Sequence, residues 1–285
     1  MTKITSYLKL LRPVQWLKNL MLLFPPFLGG TIFNEGLFLA ILLPLSSFCF
    51  ASSATYIIND IVDCTADMEH PVKRFRPLPS GEVVVGKALM LAGLLLISAL
   101  FLAISVSVKF LILLLAYLAV SLSYTFIFKN YPLFDLFSIA SGFILRLLAG
   151  GEAFGVAISE WLFLTVFLLA LFLSTGKRYS EKKALGEHAE FHRKALAAYP
   201  TGFLDGVLSM TGSAVLVTYT MYVISRHSSL LIYTVPLCCF GLFRYILRVQ
   251  TGKGGDPTES LTRDLPLLIV GIMWAVMVGW GIYAR

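Results

Sequence analysis

The chain has 285 residues, of which 58% are hydrophobic and 14% charged, with a net charge of +7. Its mean hydropathy is +0.82. Soluble domains carry about 25% charged residues, so this composition excludes a soluble enzyme, a disordered chain and a disulfide scaffold. The apolar runs are continuous rather than alternating, which excludes an outer-membrane barrel and predicts an all-α, polytopic membrane bundle. Cys49, Cys64, Cys238 and Cys239 form no C-x-x-C pair. They read as small hydrophobes. The basic excess fits loops at a membrane surface rather than a nucleic-acid partner.

In chain order, Lys3, Lys9, Arg12 and Lys18 precede the first apolar run. That run contains Pro25-Pro26 and no A-x-A-like exit, so it is expected to be a retained span and not a signal peptide. Nine spans are predicted, at roughly 17–33, 37–58, 85–106, 110–128, 133–150, 158–176, 203–225, 229–249 and 264–283. The whole of 1–285 is expected to form one helical domain, with no inserted soluble domain. Lys109, Arg226 and Arg285 fall on one side and Arg146 inside a span. Every other Lys and Arg falls on the opposite side. The positive-inside rule then puts the N-terminus in the cytoplasm and the C-terminus outside an inner (plasma) membrane. The two longest connections, about 59–84 and 177–202, are both cytoplasmic, and loops of that length suggest function.

Span 2 runs into TYIINDIVDCTADMEHPVKRFRPLPSG. Asn59, Asp63 and Asp67 follow at i, i+4 and i+8, which puts them on one helix face, and Asp60 flanks it. Acidic groups at a helix C-terminus repel one another and oppose the helix dipole. Either the basic residues Lys73, Arg74 and Arg76 or a divalent cation must offset them. Oxygen-only ligands with an amide carbonyl suit Mg²⁺, which commonly shares its shell with substrate phosphates. A solvated acidic turn paired with the basic loop is the plainer alternative.

Span 6 runs into STGKRYSEKKALGEHAEFHRK. Lys177, Arg178 and Glu181 open it. Such a cluster suits phosphate, and it equally suits an ordinary cytoplasmic cap. Tyr124 and Lys129 stand at the end of span 4. Arg146 lies within an apolar span, eleven residues after Asp135. An intramembrane Arg should face the bundle interior, as half of an ion pair or as a phosphate ligand. TGKGGDPTES reads as a flexible Gly-rich turn without the Walker ending. His70, His188, His192 and His227 form no metal pattern.

NDIVDCTAD resembles the N-D-x-x-D-x-x-x-D motif of the UbiA superfamily of intramembrane prenyltransferases, and the resemblance covers essentially the whole chain. It implies that Asn59, Asp60, Asp63 and Asp67 bind Mg²⁺ and a diphosphate, with Asn59, Asp63 and Asp67 on the metal and Asp60, Asp63 and Asp67 as catalytic carboxylates. Most members carry a second D-x-x-x-D motif after span 6. Here Lys177, Arg178 and Glu181 stand in that place. LRPVQWLKN, H-P-x-K-R-x-R-P, the stretch from Tyr124 to Arg146 and GKRYSE are similar to the decaprenyl-phosphate phosphoribosyltransferase branch.

That branch implies phosphoribosyl pyrophosphate as donor and a polyprenyl phosphate as acceptor. The implied substrate-binding residues are Lys18, Asn19, Lys73, Arg74, Arg76, Tyr124, Lys129, Asp135, Arg146, Lys177, Arg178 and Glu181. The lipid phosphate is already anionic, so no general base is needed. Positioning and electrostatics would carry catalysis. Lys18 and Asn19 stand where a lipid phosphate would arrive, and the apolar faces near spans 1 and 9 are the expected walls for its chain. A prenyltransferase moving a prenyl group from a prenyl diphosphate to an aromatic acceptor is the alternative, disfavoured by the missing second acidic motif. A transporter is disfavoured because the charges gather at one face, not at the midplane.

Overall fold

The computed structural model describes residues 3–33, 37–69, 72–185 and 194–284. Eight of its helices are long and apolar enough to cross a membrane. The chain is a multi-pass membrane protein. In order, α1 (Lys3–Leu11) leads into a 3₁₀ helix (Pro13–Leu23) and α2 (Phe24–Leu28). The first long pair follows as α3 (Leu37–Val62), the short α4 (Cys64–Glu69) and α5 (Val85–Val106). Next come α6 (Val108–Phe126), α7 (Phe134–Ala153) and α8 (Glu160–Leu185). The short α9 (Lys194–Ala198) precedes α10 (Phe203–Ser225) and α11 (Thr234–Gln250). The short α12 (Pro257–Arg263) and the last long helix, α13 (Leu265–Tyr283), close the chain.

The first expected span, 17–33, is not one long α-helix. Pro13 opens a 3₁₀ helix, and Pro25-Pro26 start a separate turn of α-helix. Prolines lack the N–H that a continuous α ladder needs. The segment nevertheless reaches from one end of the bundle to the other. Arg12 pairs with Asp60 at the end of α3, and the Tyr283 hydroxyl at the end of α13 donates to the Phe27 carbonyl at 2.8 Å. A 3₁₀ helix rises about 2.0 Å per residue, against about 1.5 Å in an α-helix, so fewer residues cover the distance.

With lipid outside, helices cannot be driven together by hydrophobicity alone, so close packing decides. Ala88, Ala92, Ala99 and Ala103 form a buried stripe on α5, facing Ala51 and Ala54 of α3. The Ser47 hydroxyl ties the pair by donating to the Ala99 carbonyl at 2.9 Å. The far face of α5 exposes Leu94, Ile97 and Phe101, as a lipid-facing surface requires. The 3₁₀ helix packs on α7 at Gly150, where a Cβ would stand 2.2 Å from the Leu22 carbonyl oxygen.

Gly150→Ala is therefore expected to force the first segment off α7 and to cost about 1–3 kcal/mol. A lower thermal midpoint in detergent would show it. Gly93→Ala, whose Cβ would meet nothing within 4 Å, should leave the midpoint in place.

Candidate functional site

Residues of α3, α6, α7 and α8 enclose a cavity of about 280 Å³ rich in charged side chains. Its acidic wall comes from the end of α3. The backbone hydrogen bonds from Asp63 N to the Asn59 carbonyl (2.9 Å) and from Asp67 N to the Asp63 carbonyl (2.8 Å) carry the helical register through to α4. Asn59 and Asp63 line the cavity, and the Asn59 amide donates to Asp63 at 3.0 Å. Asp60 and Asp67 do not line it; they are buried behind that wall. One guanidinium, that of Arg76, bonds Asp60 at 3.1 Å and Asp67 at 2.6 Å. Arg12 also bonds Asp60, Lys73 stands 3.8 Å from Asp67, and Lys129 pairs with Asp63. The basic loop does balance the acidic turn, and Asn59 and Asp63 present oxygen atoms to the cavity. Among the described residues, no three His, Cys, Asp or Glu side chains form a ready metal cage. Mg²⁺ sites commonly use one or two carboxylates and complete the shell with water and phosphate.

The opposite wall is cationic. Lys18, Arg146, Lys177 and Arg178 line it. Arg146 does not pair with Asp135, as the spacing along α7 had suggested. Its Nε donates to Asn19 Oδ1 at 2.8 Å, one terminal nitrogen to the Gly142 carbonyl at 2.9 Å and the other to the Tyr117 hydroxyl at 3.0 Å. The Tyr117 ring lies 4.4 Å from the guanidinium centre. All these partners are neutral. Among the described residues no carboxylate neutralises Arg146, so it presents net positive charge to the cavity, while Lys18 beside it lies in the field of the Asp256 carboxylate. Asn19 is fully buried against Cys49 and Ser52 and does not line the cavity. It aims Arg146.

Asp135 belongs instead to Arg178, from which it stands 3.0 Å away with neither group exposed by more than 2%. Arg178 also pairs with Glu181 and donates to the Tyr124 hydroxyl at 3.3 Å. Tyr199 completes the knot. Its hydroxyl donates to Asp135 at 2.6 Å and accepts from Leu133 N at 2.8 Å. Burial, and then the Asp135 carboxylate, push the phenol well above its usual range, so it stays protonated.

Arg74 is exposed, packs over the Phe75 ring and does not reach the cavity. His70, His188 and His192 lie outside the described residues. Two further charged residues belong to the site, and only the second has a signal in the local sequence pattern. Arg12, in a left-handed backbone conformation (φ 51°), reaches the acidic wall 48 residues away. Asp256 stands 3.0 Å from Lys177. Burial pushes the Asp256 carboxyl up, but Lys177 and Lys18 outweigh it and hold the group below the usual carboxylate range. The D-P-x-E pattern at Asp256 marks a helix start and could have placed it at the edge of a fold element.

A second cavity, of about 380 Å³, is almost wholly apolar and lies between Phe24 and Leu28 of the first segment, α8, α10, α11 and α13. Trp274, Val278 and Ile282 of α13 form its far wall. Leu173 and Pro257 line both cavities, so the two adjoin.

The sequence model of the UbiA prenyltransferase family matches residues 23–268. The chain belongs to this family. The decaprenyl-phosphate phosphoribosyltransferase of Corynebacterium glutamicum is 34% identical, over 97% of this chain and 86% of that protein. The enzyme of the same name from Mycolicibacterium smegmatis is 32% identical, over 98% and 93%. Among solved structures, a UbiA homolog from Archaeoglobus fulgidus bound to GPP and Mg²⁺ superposes with a TM-score of 0.75 at 22% identity, covering 98% of this chain and all of that one. That likeness extends to the family fold.

Asp135→Asn should leave the enclosed Arg178 with only the more exposed Glu181 and cost up to about 3–5 kcal/mol. Tyr199→Phe should cost about 1–3 kcal/mol, because Asp135 keeps Arg178. Thermal unfolding of the two variants in detergent checks the order.

Proposed function

We propose that this chain is a polyprenyl-phosphate phosphoribosyltransferase. It moves the 5-phosphoribosyl group from phosphoribosyl pyrophosphate to a polyprenyl phosphate, such as decaprenyl phosphate, and releases diphosphate. One observation carries the reading. The cavity is lined by one Asn–Asp pair at the end of α3, with Glu181 the only other carboxylate on the lining, against seven basic side chains, where a prenyl diphosphate held between two acidic motifs would call for two acidic walls. One metal–diphosphate station and one phosphate station match a soluble diphosphate donor and a lipid monophosphate acceptor. The full-length similarity to two enzymes named for that reaction supports the same reading.

The oxygen-only donor set at the acidic wall suits Mg²⁺. Asn59 and Asp63 would hold it, and Asp60 and Asp67 would set the charge behind them. When bound, Mg²⁺ supplies Lewis-acid neutralisation of the leaving diphosphate. The chain's own residues do the rest. Arg146 and Lys18 attract phosphate into the cavity. The Asp135–Arg178–Tyr199 knot fixes the cationic wall, so little reorganisation accompanies charge movement. The lipid phosphate oxygen attacks the anomeric carbon as an anion, and the absence of a base beside it costs nothing. The apolar cavity sheathes the first part of the isoprenoid chain. We place the site at the cytoplasmic face of the plasma membrane, with the N-terminus inside and the C-terminus outside, because the Lys and Arg residues gather at that end.

Purified protein given Mg²⁺, labelled phosphoribosyl pyrophosphate and polyprenyl phosphate should produce lipid-extractable label. Asp63→Asn keeps shape and removes one metal-facing charge, and should reduce that label at least 100-fold while the protein stays folded. Near-normal turnover of this variant at low Mg²⁺ would contradict the metal assignment. Label transfer from a prenyl diphosphate to an aromatic acceptor, with none from phosphoribosyl pyrophosphate, would establish the alternative reaction.

A further inference from the structure

The loop between α11 and α12 crosses the seam between the two cavities. Its backbone is tied down at several points. The Tyr245 hydroxyl donates to the Gly255 carbonyl at 2.7 Å and to the Leu173 carbonyl at 3.1 Å. Arg248 donates to the Lys253 carbonyl at 3.0 Å and to Asp264 at 2.8 Å. Gly255 is pressed onto α8, where a Cβ would stand 2.5 Å from the Gly176 carbonyl oxygen and 2.7 Å from Ser180 Oγ. Gly176 in turn accommodates the Tyr245 ring, which a Cβ there would meet at 2.5 Å. The strap is a fixed element rather than a loose turn.

On this strap the two oxygens of Asp256 have different duties. Oδ1 caps α12, accepting from Thr258 N at 3.1 Å and Glu259 N at 3.3 Å. Oδ2 faces Lys177 Nζ at 3.0 Å. The neighbouring Pro257, with Leu173 one turn before Lys177, lines both cavities. The ion pair therefore stands where an apolar chamber opens into a charged one. A lipid with an apolar chain and a phosphate head has its own chemical boundary at that point.

Given the phosphoribosyltransferase reading, on which this rests, we propose that Lys177 is the anchor for the acceptor's phosphate and that Asp256 is its headgroup gate. The carboxylate holds the ammonium while no lipid is present, and yields it to a phosphate in a one-for-one exchange of anions. A phosphate monoester brings more charge and more acceptor oxygens than the single carboxylate oxygen it replaces. A neutral polyprenol brings neither and leaves the pair closed. Only the Lys177 side chain needs to move, because Oδ1 and the backbone ties keep Asp256 in place.

Steady-state kinetics with both substrates varied tests the gate. Asp256→Asn keeps a good helix cap and removes the competing charge; Asp256→Ser does the same should the first variant fold poorly. Lys177→Ala should raise the KM for polyprenyl phosphate about 10- to 100-fold, the range for a lost charge-assisted bond. Asp256→Asn should lower that KM several-fold and leave the KM for phosphoribosyl pyrophosphate unchanged. In the Lys177→Ala background the Asp256 substitution should have a much smaller effect, limited to what it exerts through Lys18. A raised lipid KM in Asp256→Asn, equal shifts in both KM values, or additive effects of the two substitutions would overturn the gate while wild-type transfer left the reaction standing. Wild-type protein that moved no label to lipid would overturn the reaction and the gate together.

Discussion

A charge carried into a bilayer must be answered by the protein, because the lipid will not do it. Most of the buried ionised groups around the charged cavity obey that constraint, and the pairs tie together elements that are far apart in sequence. Arg12 and Arg76 join the entry helix and the first long loop to α3 through Asp60. Lys129 joins α6 to α3 through Asp63. Arg178 joins α8 to α7 through Asp135. Arg244 and Arg248 fasten α11 to the start of α13 through Asp264. The apolar faces allow many helix arrangements, and these pairs select one.

One cation escapes the rule. Arg146 has three neutral hydrogen-bond partners and an aromatic face but no carboxylate among the described residues. An uncompensated charge in a membrane interior is costly. It persists where something outside the protein completes it, and a phosphate-bearing substrate would do so in this cavity. The acidic wall is complementary. Its three carboxylates, Asp60, Asp63 and Asp67, are met by four basic side chains, Arg12, Lys73, Arg76 and Lys129, and Asn59 and Asp63 stand at the cavity surface where a metal–diphosphate would sit. The asymmetry of the walls would give each substrate a distinct place, and the adjoining apolar cavity would give the lipid chain a third.

Much of this was legible in the sequence because it is local. Continuous apolar runs mark the long helices, and the i, i+4 spacing of Asn59 and Asp63 marks the acidic wall, whereas Asp67, expected on the same face, is buried behind it against Arg76. The departures come from contacts that no local pattern encodes. Pro13 and Pro25-Pro26 turned the first span into a 3₁₀ helix and a short α-helix. The nearest acid to Arg146 along its helix is Asp135, but Arg146 bonds Asn19, 127 residues away, and Asp135 bonds Tyr199, 64 residues away. Asp256 lay in what read as a flexible turn, and its partner Lys177 is 79 residues distant. Arg74 shared the basic motif of Lys73 and Arg76, yet the short 3₁₀ turn at Lys73–Phe75 leaves it exposed on the Phe75 ring.

The central claim is that one cavity presents a diphosphate station and a separate lipid-phosphate station. A cryo-electron microscopy structure with Mg²⁺, a non-transferable analogue of phosphoribosyl pyrophosphate and a polyprenyl phosphate tests it most directly. The account predicts the diphosphate against Asn59 and Asp63, the lipid chain in the apolar cavity, and the lipid phosphate on the cationic wall. A lipid phosphate bound at the acidic wall, or an isoprenoid chain that avoids the cavity between the first segment and α13, would contradict it.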